Sequence, residues 1–130
     1  MVSPKSPQEI ELLREAGTLL GSILDALTTK VAAGVTGAEL DTIARQMMKD
    51  AGAVPVFLGY GNPPYPAAIC VSINEQVVHG IPGDRVLCEG DIIGIDCGVT
   101  LDGYVGDSAI TVAVAGLMIL SRVQDVFTWT

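Results

Sequence analysis

The chain has 130 residues, 49% hydrophobic and 17% charged, with a formal net charge of −8. That balance suits one globular domain with a real core and excludes a disordered chain. The acidic balance, without any Lys/Arg cluster, excludes nucleic-acid binding and attraction to an anionic membrane surface.

The first residues, Met1 to Glu9, contain no apolar signal core. The most apolar run, Ala113 to Leu120, falls far short of the ~20 residues of a membrane span. A cytoplasmic protein is expected. The three cysteines, Cys70, Cys88 and Cys97, are odd in number and form no C-x-x-C, so buried reduced thiols are expected rather than disulfides or a zinc knuckle. The mean hydropathy of +0.48 points to apolar surface that meets a partner or a further segment, or to a compact β core.

The first third reads as helical. Ser6-Pro7-Gln8-Glu9 is a capping box with proline at the first helical position. Ile10, Leu13, Ala16, Leu20, Ile23, Leu24 and Leu27 then recur at three- and four-residue steps, one apolar stripe. Thr36-Gly37-Ala38-Glu39 opens a second helix with the stripe Leu40, Ile43, Ala44, Met47 and Met48, and Gly52 suits its stop. Both methionines read as packing residues.

The character changes at Val54. Gly59 to Pro66 reads as a shaped loop. Ala67 to Ile73 is a strand, followed by a turn near Asn74-Glu75 and a loop at Gly80 to Gly83. A strand from about Asp91 to Thr100, the hairpin signal Asp102-Gly103, and a return strand to about Val114 complete the order. Two helices followed by antiparallel strands predict an α+β domain.

Asp96 and Asp107 stand out. With Asp102-Gly103 as a two-residue turn, Leu101 faces Tyr104 and Gly98 faces Asp107. Asp96 then shares a face with Asp107, diagonal to it, with Cβ atoms ~7–8 Å apart or less. Carboxylates at that spacing suit a pair of divalent ions ~3.5–4 Å apart. Gly98 puts no side chain between them, and Gly94 and Gly106 are expected to keep the neighbouring walls low. Two separately solvated surface aspartates are the alternative. His79, the sole histidine, reads either as an ordinary loop residue or as a group that donates a hydrogen bond or moves a proton beside a substrate.

Three longer motifs unite these segments. They are N-E-x-x-x-H-G-I-P at Asn74 to Pro82, E-G-D-I-I-x-I-D-x-G at Glu89 to Gly98, and L-D-G-Y-x-G-D-S at Leu101 to Ser108. With the opening P-K-S-P-Q-E-I-E-L-L-R-E-A-G, they resemble the methionine aminopeptidases, most closely the bacterial type I enzymes of family M24. The resemblance covers roughly residues 3 to 116.

The resemblance implies the pita-bread fold, in which two α+β halves surround a di-metal centre, with this chain carrying the N-terminal half. It implies removal of the initiator methionine from nascent polypeptides whose second residue is small, with two divalent ions (Co, Mn, Fe or Zn) polarising the scissile carbonyl. Asp96 matches the aspartate that chelates one ion and Asp107 the one that bridges both. His79 matches the histidine that contacts substrate and assists catalysis. Tyr60, Tyr65 and Cys70, with His79, match substrate-binding positions, the first three lining the pocket for the methionine side chain. Relatives of this kind are usually monomeric.

The sequence also departs from the family. Val78 and Val105 stand where relatives often carry a cysteine and a histidine. The family takes a second histidine and two glutamates from its second half, whereas here the last glutamate is Glu89 and no second histidine occurs. Residues 1–116 are therefore expected to form the N-terminal half-domain. Residues 117–130 read as a non-family tail, through truncation, splicing or frameshift. The chain by itself is expected to be inactive, and its half-fold to leave a sheet edge and a sheet face open to association. The alternative is a non-catalytic half-fold that binds a peptide terminus or a partner.

Overall fold

The computed structural model describes residues 3–115. Helix α1 spans Pro7–Lys30. Its capping box forms as the sequence predicts: the Ser6 hydroxyl accepts from the Glu9 N–H at 3.2 Å, and the Glu9 carboxylate accepts from the Ser6 N–H at 2.7 Å. Helix α2, Gly37–Asp50, repeats the device with Thr36 and Glu39. It ends at Gly52, whose φ of 69° is left-handed, the conformation glycine adopts without strain.

Four antiparallel strands follow: β1 (Val54–Pro55), β2 (Ile69–Ile73), β3 (Ile92–Leu101) and β4 (Tyr104–Ala113). β3 is central. β4 runs the full length of one side of it, while β2 and then β1 share the other side end to end. Asp102 and Gly103 both have positive φ, 49° and 83°, the I′ geometry that matches strand twist. The resulting register pairs Leu101 with Tyr104 and Gly98 with Asp107, as hairpin parity requires. β1 was not expected, and β2 starts two residues later than predicted. The reason for the late start is a side chain from α2 that takes the Ala68 and Ile69 amides.

The two faces of β3 differ completely. Ile93, Ile95, Cys97 and Val99 are fully buried with Leu20, Ile23, Leu27, Leu40 and Met48. The alternate residues Gly94, Asp96 and Gly98 face the other way, beside Cys70 and Ser72 of β2. Three expectations are corrected here. Gly106 does not border the aspartates: by strand alternation it faces α1, where a Cβ would meet the Ala16 backbone at 3.2 Å. By the same alternation, Ile93 and Ile95 on either side of Gly94 point into the core, away from the Asp96 carboxylate. The buried stripe of α1 begins only at Ala16, where this close contact lies, and Ile10 stays exposed. Cys70 and Cys97 are buried and free, but Cys88 is exposed, on the turn before β3. The predicted tail, residues 117–130, lies outside the described residues. Among the described residues, no helix is long and apolar enough to cross a membrane, and nothing pairs with the outer side of β4.

Candidate active site

Cys70 sits directly opposite Asp96 in the β2–β3 ladder, and Asp107 directly opposite Gly98 in the β3–β4 ladder. Alternation therefore puts the thiol and both carboxylates on one open face. Gly98 is needed for a reason beyond the one expected. A Cβ there would press on Phe57 and Val56 at 3.1 Å, so Gly98 lets the segment after β1 lie over the strand. Phe57 becomes a wall of the site, one that the sequence pattern does not reveal.

The loop from Gly59 to Pro66 is tied in a tight knot. The Gly59 N–H donates to the Tyr65 carbonyl at 2.8 Å, and the Tyr65 N–H to the Tyr60 carbonyl at 2.7 Å. The Tyr65 hydroxyl reaches out of the loop to the carbonyls of Gly80 (2.9 Å) and Ile69 (3.2 Å). It thereby links the aromatic loop, strand β2 and the histidine loop. Burial holds its proton well above the usual phenol range.

His79 is held by its backbone. Val78 and His79 both have positive φ, 41° and 54°, a strained conformation for non-glycine residues and most of all for β-branched valine. Gly80 fixes that turn. Its carbonyl accepts from the Val71 N–H at 2.8 Å, and its N–H donates to the Ser72 hydroxyl at 3.1 Å. No other residue fits: a Cβ on Gly80 would collide with the Val71 carbonyl. Surrounding structure thus over-determines the position of an exposed histidine.

One cavity of about 520 Å³ is lined by Tyr60, Tyr65, Cys70, His79, Asp96 and Asp107, together with Phe57 and Ile81. All six residues singled out in the sequence thus border a single space. A smaller cavity of about 290 Å³ continues along the same sheet face past Asp96 and His79, over Gly94, Ala109 and Thr111.

The electrostatics of this face are those of an uncompensated acidic pair. Burial is the main cause that raises the Asp96 carboxyl above the usual carboxylate range, and the neighbouring Asp107 charge adds to it. His79 pulls the other way. The Cys97 thiol, on the far side of the strand, is pushed up to about 12 by burial first and the two aspartates second. A divalent cation would relieve this repulsion, and two carboxylates are the hard oxygen donors such an ion takes. The donors fit as far as they go. Among the described residues, no group of three His, Cys, Asp or Glu side chains gathers around a common point.

Two residues that the sequence pattern did not single out support the site from below. Asp41 and Arg45, one turn apart on α2, form an ion pair at 2.6 Å. Their i,i+4 spacing beside the buried stripe was the available signal.

Comparison with known proteins places these features in a family. The sequence profile of Metallopeptidase family M24 matches residues 11–127. A methionine aminopeptidase of Clostridium acetobutylicum is 50% identical over 115 residues, which cover 88% of this chain and 45% of that protein. One from Helicobacter pylori is 49% identical over 117 residues, covering 89% and 45%. The crystal structure of methionine aminopeptidase from Rickettsia prowazekii superposes with a TM-score of 0.85 at 35% identity, over 89% of this chain and 46% of that one. The chain spans about half the length of the curated relatives it matches. Its two helices and antiparallel sheet are the corresponding α+β half of the pita-bread fold.

Proposed function

Because this chain belongs to metallopeptidase family M24, we propose that it carries the methionine-binding and first metal-binding half of an aminopeptidase that removes initiator methionine from nascent polypeptides in the cytoplasm. The observation that carries this reading is the single cavity shared by Tyr60, Tyr65, Cys70, His79, Asp96 and Asp107. Its Phe57, Tyr60, Tyr65 and Cys70 end is apolar and polarizable, which suits a thioether side chain. Its other end is anionic, which suits divalent cations.

The residues divide the work. The aromatic end takes the methionine side chain and so places the first peptide bond beside the aspartates. Asp96 would chelate one divalent ion and Asp107 would bridge two. Such ions, when bound, supply Lewis-acid polarisation of the peptide carbonyl and a nucleophile at neutral pH. His79, fixed by Gly80 at the rim, donates a hydrogen bond to the substrate peptide and moves a proton as the bond breaks.

Two carboxylates alone hold a divalent ion only weakly. The 130-residue polypeptide is therefore expected to release no methionine from a Met-Ala-Ser peptide with Mn²⁺ or Co²⁺. Co-expression with the C-terminal half of the Clostridium acetobutylicum relative is expected to restore release, and Asp107→Ala to abolish it. A folded complex of the two halves that releases nothing would sink the enzymatic reading.

A second reading rests on one specific observation: the described residues line an apolar side-chain pocket, whereas among them no group of three His, Cys, Asp or Glu side chains gathers to hold a metal ion. The 130-residue polypeptide would then bind methionine-initiated peptides without cleaving them. Protein-detected NMR separates the two readings. Met-Ala-Ser shifting Tyr65 and Cys70 without Mn²⁺, and no turnover under any complementation, is the pattern of a binding module.

A further inference from the structure

Asp41 is the buried charged residue of the described chain, and neither carboxylate oxygen of it is idle. One oxygen accepts from the Ala68 N–H at 2.7 Å and the Ile69 N–H at 3.2 Å. The other accepts from the Arg45 Nε–H at 2.6 Å. Arg45 then donates through its second nitrogen to the Pro66 carbonyl at 2.7 Å. The pair thus grips three points of the backbone between the aromatic loop and β2. Tyr65 precedes the first of these points, and Cys70 follows the last.

A carboxylate removed from water is costly unless its lone pairs find partners, and Asp41 is buried while its partner Arg45 stays half-exposed. Position 41 is buried on α2 along with Leu40, Ala44 and Met48, where an apolar residue is the ordinary choice. The charge is instead spent on the backbone that carries two walls of the cavity. We infer that Asp41 and Arg45 are positioning residues that set the width of the side-chain pocket by clamping Pro66 to Ile69 onto α2. That the pocket so set is the methionine pocket rests on the function proposed above.

The clamp and the pocket are separable by chemistry. Cys70 is buried at the cavity wall, and Cys97 is buried on the opposite face of the adjacent strand. In a Cys88→Ser background, the alkylation rate of Cys70 reports local opening of the wall, and that of Cys97 reports loosening of the whole fold. Asp41→Asn is expected to speed Cys70 alkylation by iodoacetamide about tenfold while Cys97 stays protected, because local opening exposes a buried group independently of global unfolding. Arg45→Met should do the same. Arg45→Lys should lie between, since an ammonium reaches Asp41 without also forking to Pro66.

Cys70 rates within twofold of the parent in Asp41→Asn and Arg45→Met would overturn the inference. So would parallel acceleration of Cys97, which marks a merely structural role. Where Asp41→Asn fails to fold, the order Met above Lys above Arg at the half-exposed position 45 decides the matter alone. Protection of Cys70 by Met-Ala in the parent tests the proposed function separately. Its absence would remove the methionine assignment and leave the clamp standing on the alkylation ratios.

Discussion

The two faces of β3 are built from alternate residues of one strand, yet they follow opposite rules. On the α1 side, Ile93, Ile95, Cys97 and Val99 are sealed, apolar and closely packed. On the other side, Gly94, Asp96 and Gly98 leave room, and the one side chain among them is a carboxylate whose charged form the fold disfavours. The difference shows how a small half-domain keeps stability and chemistry apart at a separation of a single residue. The strand is held in place by its odd positions, so its even positions are free to be unfavourable.

Neighbouring substitutions test that separation most sharply. Ile95→Ala empties a fully buried site and is expected to cost about 2–5 kcal/mol in denaturant unfolding. Asp96→Asn, one residue away, should change stability by less than about 1 kcal/mol near neutral pH, in either direction, since it removes a repelled charge. It should nevertheless abolish Mn²⁺ broadening of the cavity resonances. A loss of stability in Asp96→Asn matching that of Ile95→Ala would break the comparison.

Thr36→Ala, remote from both faces, is expected to cost about 1 kcal/mol through the lost cap of α2. It should leave Mn²⁺ broadening and Cys70 reactivity unchanged. A change in either would mean that the placement of α2 is less local than its capping box implies.

The smallest effect is a pH dependence with opposite signs in two places. Hydrogen bonds from Ser6 and Thr36 hold Glu9 and Glu39 below the usual value of 4.5, so their contribution to stability is present above that value and is lost as pH falls through the lowered one. Asp96 is shifted up from 3.8, so its contribution is present below that value and is lost as pH rises through the raised one. The stability of the parent relative to Asp96→Asn should therefore decline as pH rises from below 3.8. Saturating Mn²⁺ should reverse that trend. A difference that grows with pH in the absence of metal would show that burial and the Asp107 charge do not govern the Asp96 carboxyl.

Local chemistry made much of this legible in the sequence. Both capping boxes, the glycine stop of α2 and the Asp102-Gly103 turn are decided within a few residues, and the turn alone sets the register that brings Asp96 beside Asp107. Gly106 lies near the aspartates in sequence, but strand alternation turns it toward α1, so closeness along the chain misleads there. Asp41 and Phe57 escape a sequence reading for a different reason. Asp41 acts on backbone amides 27 and 28 residues away, and Phe57 closes over a glycine in another strand. Neither contact has a local signature, since the first depends on how α2 docks against β2 and the second on how the segment after β1 lies over β3.

The hairpin has one more consequence, for the order of assembly. Asp96 and Asp107 are separated by only eleven positions and by one tight turn. Hairpins of this kind close in about 1–10 μs, far sooner than contacts between distant segments form. The two carboxylates should therefore meet before α1 and α2 cover the opposite face. Divalent cations could then act as a template on the unfinished chain, binding while the core is still forming. A peptide of residues 91–114 whose strand content rises on addition of Mn²⁺ would show this directly. One whose conformation ignores the ion would place cation binding after the helices have docked.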